Sequence, residues 1–228
     1  MYKYIIFLNF LYACKSEEPK QLFLSKEEPL VGKEINYDSC KKMIGILKMQ
    51  YISKWNTFTA NEKGNCFTNA ITKTIIPPWI GTKWAFSGTT QIPQHGTIAC
   101  GYFVTTILRD AGLPLARTKL AQCASEEMIK TLVRKKHITR FSNVEFKNFV
   151  SFLNNNTNGL YIIGLDNHTG FVLKDSVGIW FIHSTFIGNG KVQNEDATQS
   201  TILQNSRYKI VGKISADEEV LDRWIATK

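Results

Sequence analysis

Apolar positions recur at helical spacing along most of the first two thirds of the chain and change to continuous or alternating runs afterwards. Over 38–54, Met43, Ile46, Leu47 and Tyr51 fall on one face, with Asp38 placed to cap, which predicts a helix. A second helix is predicted over 61–76, ending where Pro77-Pro78 removes the donors a helix needs. The segment 77–99 is rich in Gly, Thr and aromatics and reads as a long loop. Phe103, Val104, Ile107, Leu108 and Ala111 then repeat at helical spacing, and Gly112 with Pro114 ends that helix. Another helix lies within 120–136, with Ser125 as its cap and Glu126 and Glu127 in its first turn. Ser142 is placed to cap a helix over 143–155 that turns Phe146, Phe149, Val150 and Leu153 inward. From Gly159 to Thr185 the pattern changes to three successive strands, broken at Asp166-Asn167 and at Lys174-Asp175-Ser176. A further strand over 207–214 and a closing helix over 217–226, with Val220, Leu221 and Trp224 inward, complete the domain. Helices first and a meandering sheet after predict an α+β fold.

This pattern puts chemistry at three positions. Cys100 falls at the first turn of the helix that carries Phe103 and Ile107. Free N–H groups and the positive end of the helix dipole favour a thiolate there and can hold an oxyanion. His168 begins the second of the three strands and His183 ends the third. Antiparallel neighbours bring such positions together. One imidazole then accepts the thiol proton while the other orients it. Cys66 is the rival nucleophile, inside a helix already under way, and Asp166 is the rival orienting group. His95, in the loop before Cys100, reads as incidental, and His137, after a basic helix end, as a surface residue.

Cysteine before a helix, then His168-Thr-Gly170-Phe on a strand, then His183 closing the next strand, resembles the NlpC/P60 family of cysteine peptidases. The resemblance covers roughly residues 78–184. Trp84-Ala-Phe-Ser-Gly-Thr89 is similar to the aromatic-x-Trp-Gly-Gly-Thr loop that precedes the cysteine in that family. The resemblance implies a papain-like α+β fold and cleavage of peptide stems in the bacterial cell wall. By it Cys100 is the nucleophile, His168 the base and His183 the orienting residue, with Trp84, Phe86 and Gly101 at the substrate. Family members usually carry Asp-Cys-Ser-Gly-Phe, where this chain has Ala99-Cys100-Gly101-Tyr102-Phe103. That difference keeps two alternatives open: an amidase or acyltransferase acting on another amide or a lipid, and a non-catalytic lipoprotein that binds wall material.

The N-terminus bears on location. Lys3 precedes an apolar run that is too short to span a bilayer and that ends at Leu11-Tyr-Ala-Cys14. This resembles a lipobox, which implies a signal peptide over 1–13 and lipid on Cys14. The following Lys15-Ser-Glu-Glu18 is similar to the acidic export tags of surface lipoproteins in the Bacteroidetes. A polar tether over 14–36 then leads into one hydrolase domain over 37–228. The expected setting is a bacterial envelope, with the chain held to the membrane by its lipid anchor and facing the periplasm or the outer surface.

Composition adds three limits. The net charge is +9, of which residues 1–13 contribute only Lys3. A basic surface suits an anionic envelope. The lysines are scattered, with Arg134-Lys-Lys136 the one cluster, and a nucleic-acid partner is not expected. Cys40, Cys66 and Cys123 remain after Cys14 and Cys100, so either Cys40 pairs with Cys66 or the thiols stay free. No zinc spacing of Cys and His is present, and the reading includes no metal and no cofactor.

Overall fold

The computed structural model describes residues 36–227. The expectations for the signal peptide, for Cys14 and for the tether up to residue 35 lie outside the described residues.

Helix α1 (Tyr37–Ile52) is capped by Asn36, whose side-chain oxygen accepts from the N–H groups of Asp38 and Ser39. The cap is thus two residues earlier than the expected Asp38. The inward face also differs from the expected one. Tyr37, Ile44 and Lys48 are buried, while Met43 and Ile46 are exposed. Lys48 was not an obvious core residue, yet its Nζ donates to the carbonyls of Gly112 and Thr227, each at 3.2 Å. The amino group therefore ties α1 to two chain segments that end helices.

Helix α2 (Ala60–Asn69) begins with a capping box, Thr59 and Glu62 each satisfying the other's backbone N–H. It runs on as a π-helical turn, Ala70–Ile75, before the prolines. Helix α3 (Cys100–Asp110) buries Phe103, Val104, Ile107 and Leu108. Short α4 (Arg117–Ala121) was not foreseen. Its Arg117 donates to Thr106 Oγ1 of α3 at 2.7 Å and to the carbonyls of Thr89 and Thr90, which pins the loop over 77–99 to α3. Helix α5 (Ser125–Leu132) carries Glu126 and Glu127 in its first turn, as the pattern predicts, but its cap position is Ala124 rather than Ser125.

Strand β1 (Ile138–Ser142) was missed, because Arg140 and Ser142 face solvent and no apolar run marks it. Helix α6 (Phe146–Asn155) starts three residues later than predicted, with Glu145 and not Ser142 at its cap. Strands β2 (Gly159–Leu165), β3 (Thr169–Lys174) and β4 (Ile179–Thr185) match the three predicted strands. Strand β5 (Lys191–Asp196) and helix α7 (Thr201–Asn205) are additions. Strand β6 (Tyr208–Gly212) and helix α8 (Glu218–Ala226) close the chain.

The six strands form one antiparallel sheet in the order β1-β6-β2-β3-β4-β5. Helices cover both faces, which makes the protein α+β. Leu160, Ile162, Phe171, Ile182 and Ile210 pack with residues of α1, α2, α3, α5 and α8. Tyr161, Ile163, Leu165, Val172, Phe181 and Val211 pack with Phe149 and Leu153 of α6 and Leu203 of α7. Every residue of β2 is buried, which explains why its sequence is a continuous apolar run rather than an alternation.

Candidate active site

Ala99 precedes α3 in an extended conformation and offers no side-chain cap. The first helical hydrogen bond is Phe103 N–H to the Ala99 carbonyl, at 2.8 Å. The N–H groups of Cys100, Gly101 and Tyr102 are therefore left without helical partners. Two contacts fix this helix start. Ala99 N–H donates to the Gly88 carbonyl at 2.9 Å, and Ser184 Oγ of β4 donates to the Ile98 carbonyl at 2.7 Å. Gly88 has no room for a side chain, since a Cβ there would lie 2.6 Å from Ile98 N.

Cys100 and His168 line one cavity of about 520 Å³, together with Thr169, Ser125, Glu126 and Tyr208. His168 sits one residue ahead of β3, and its Nε2 lies 2.8 Å from Nδ1 of His183. His183 is fully buried two residues before the end of β4, and its ring stacks on Phe181 with centroids 3.9 Å apart. Bonded through Nε2, His168 keeps Nδ1 for a different partner. The turn between β2 and β3 and the β3–β4 pairing thus bring together the two histidines that the strand pattern placed as neighbours.

Electrostatics differ from the sequence expectation at the thiol. Burial raises Cys100 above an ordinary thiol, and the N–H groups of Thr169, Gly101 and Cys100 itself offset only part of that. The helix start therefore does not by itself produce a thiolate. Burial, with the neighbouring His183 ring as a second cause, lowers His168 to about 3. Burial also lowers His183, against the opposing pull of Glu195. These directions leave both the thiol and the imidazole that line this cavity neutral at neutral pH.

Glu195 of β5 was missed by sequence reasoning. Its Oε1 lies 3.4 Å from His183 Nε2 and accepts from Ser200 Oγ at 2.5 Å. Its Oε2 accepts from Gln193 Nε2 at 3.1 Å. Only the recognition of a strand after Gly190 would have exposed the alternation that carries Gln193 and Glu195 to one face.

Other residues fall into different places. Gly101 lines the cavity, but packing also demands it. A Cβ there would stand 2.4 Å from the Ala121 carbonyl oxygen. Trp84 and Phe86 do not line this cavity. Trp84 N–H donates to the Gly190 carbonyl and its ring meets Phe186 at 5.5 Å, while Phe86 is 89% exposed. Gly170 makes room for its neighbours on β4, since a Cβ there would crowd Phe181, Ile182 and His183. Asp166 lines the cavity with both oxygens engaged by Ser206, Arg207 and Tyr208. Cys66 is half-buried, and its ionisable neighbours are Glu62 and Tyr51. Cys40, Cys66, Cys100 and Cys123 are all free, so Cys40 and Cys66 are not paired. His95 is exposed, whereas His137 is half-buried, with its side chain 18% exposed.

Among the described residues, His137, Asp217 and Glu218 place ligand-type atoms within 4.8 Å of one another. Arg134 already engages Asp217 and Glu218, and Lys136 also reaches Glu218, so positive side chains occupy the place of an ion. No helix among the described residues is long and apolar enough to cross a membrane. No protein-family model, curated protein or solved structure matches this chain.

Proposed function

We propose that the chain is a cysteine hydrolase of the NlpC/P60 type, with a papain-like arrangement of helix and sheet, that cleaves an amide bond. The observation that carries this reading is the shared cavity. Cys100, at an uncapped helix start, opens into the same space as His168, whose far nitrogen is bonded to His183. In this reading His168 Nδ1 takes the Cys100 proton as sulfur attacks the amide carbonyl. The proton moves during attack, because both groups rest neutral. The N–H groups of Cys100 and Gly101 hold the oxyanion. The imidazolium gives its proton to the departing amine; water then attacks the thioester as His168 takes its proton, and that proton returns to the Cys100 sulfur as the acid leaves.

The substrate proposed is a peptidoglycan stem or crosslink, reached from a lipid anchor at Cys14 in a bacterial envelope. The basic net charge and the lipobox-like sequence support that setting. A second reading, an amidase or acyltransferase on another amide or lipid, draws support from Gly101. The side chain that typical members carry at this position would clash with Ala121. The test is to incubate the chain and its Cys100→Ala variant with purified sacculi and to weigh the released muropeptides. Fragments that depend on Cys100 are expected, and their masses name the bond. Equal digestion by both proteins sinks the proposal. Silence from both, with Cys100 alkylating faster than a free thiol, moves the substrate to other amides.

A further inference from the structure

Two neutral imidazoles joined by one hydrogen bond have two arrangements. Either both rings carry hydrogen on Nε2, and His168 Nε2–H donates to His183 Nδ1, or both carry it on Nδ1 and the bond runs the other way. Only the first leaves a lone pair on His168 Nδ1, and only that lone pair can take a proton from a thiol. In the second arrangement the Cys100–His168 pair is inert, although every heavy atom stays in place. Something at the far side of His183 has to choose.

Two side chains meet His183 Nε2 there. Gln193 Nε2 lies 3.4 Å away and can only donate, which favours a bare nitrogen. Glu195 Oε1 also lies 3.4 Å away and can only accept, which favours Nε2–H. The β4–β5 register pairs His183 with Gln193 and Phe181 with Glu195, so both arrive from one strand. The conflict is resolved by the contact between them. Gln193 Nε2 has a better acceptor in Glu195 Oε2 at 3.1 Å. With Gln193 bonded to one carboxylate oxygen, the other faces His183. Placing a lone pair opposite that oxygen in a buried site is repulsive, and placing an N–H there gains a charge-assisted contact. Ser200 Oγ, itself buried, holds Oε1 in place.

We propose that Glu195 is a positioning residue that selects the Nε2–H tautomer of His183 and, through it, the Nε2–H tautomer of His168, and so makes His168 a base. The proposal rests on the hydrolase reading for its consequence, but the tautomers themselves are observable without any substrate. The ionised state of Glu195 fits this role, since its contact with His183 holds the carboxyl below the ordinary range.

The test uses the full chain labelled with 15N in its histidines, of which there are four. Long-range proton–nitrogen correlation at neutral pH identifies which ring nitrogen carries hydrogen. In the wild type both His168 and His183 are expected as Nε2–H. In Glu195→Gln, an isostere without the charge, the Nδ1–H form is expected to appear on both rings together. Alkylation of Cys100 by iodoacetamide should slow by on the order of tenfold to a hundredfold, less than for loss of a carboxylate bonded to the base itself. Glu195→Asp, which keeps the charge, should retain the wild-type tautomers. Wild-type rings with hydrogen on Nδ1, or tautomers unchanged in a folded Glu195→Gln protein, overturn the proposal. If Glu195→Gln fails to fold, the wild-type assignment still decides. Tautomers that respond to Glu195 in a chain that cleaves no amide would leave this inference standing and remove the hydrolase reading.

Discussion

Gly170 lies against His183 and Phe181, and its replacement by alanine tests whether the geometry of the His168–His183 pair is set by packing. A Cβ at this position would stand 2.8 Å from each of His183 Cβ, the Ile182 carbonyl oxygen and Phe181 Cε2. Ordinary contact begins near 3.4 Å, so these atoms must retreat by about 0.6 Å. Two of them belong to the ring pair that holds the site, Phe181 stacked on His183. The third is backbone of β4, held between β3 and β5, and cannot swing aside. A retreat of that size would stretch the 2.8 Å bond between His168 and His183 beyond good hydrogen-bond length. Overpacking of this kind costs about 1–3 kcal/mol. At roughly 2–4 °C per kcal/mol for a domain of this size, Tm should fall by about 4–8 °C for a loss near 2 kcal/mol. Urea unfolding gives the stability loss, and iodoacetamide labelling of Cys100 at neutral pH gives the state of the dyad. Gly170→Ala should lose both stability and Cys100 reactivity, whereas an alanine variant as stable and as reactive as wild type would refute the packing argument.

The pH dependence of kcat/KM follows from the two neutral groups. His168 stays unprotonated down to about 3, so the rate of a substrate cleaved by this site should show no acid limb between about pH 5 and 7. A limb near the ordinary histidine value would contradict the burial argument. Asp217 is fully buried, accepts from Arg134 Nε at 2.8 Å and caps α8 through Glu219 N–H. Asp217→Ala should cost about 1–3 kcal/mol in urea unfolding, because it removes the α8 cap and leaves the Arg134 backbone N–H without its acceptor. Burial holds Lys48 down to about 8, so the folded state binds this proton less readily than the unfolded chain does. Its charged form opposes folding below that value, and the penalty is relieved as pH rises through 8 towards the unfolded value. The stability of wild type minus that of Lys48→Met should therefore grow over that interval, and a flat difference would mean that Lys48 titrates normally.

Much of the architecture was legible because hydrophobic period reports burial directly. The face of α3 could be read from Phe103, Val104, Ile107 and Leu108, and the chain punctuation at Asp166-Asn167 and Lys174-Asp175 marked the three central strands. Elements without a strong period were not legible. β1 and β5 lie at the sheet edges, where one face meets solvent and polar residues are tolerated, and α4 and α7 have five residues each. The error on α1 has the same cause. Met43 and Ile46 read as inward by type, but partner helices decide which face is covered, and Lys48 is buried because two helix-ending carbonyls await it.

By itself, then, the sequence determined the α+β class and the closeness of His168 and His183, since strand order and short turns leave adjacent antiparallel strands little freedom. It also placed Cys100 at a helix start, where orphaned N–H groups are a local property of any helix. Tertiary structure decided the rest. Whether the thiol is ionised depends on how deeply it is buried, and burial here outweighs the helix start. Gly101 and Gly170 are required by backbone and rings distant in sequence or across the sheet. Glu195 reaches His183 only because an edge strand pairs in one register, and register is a long-range choice that no local pattern encodes.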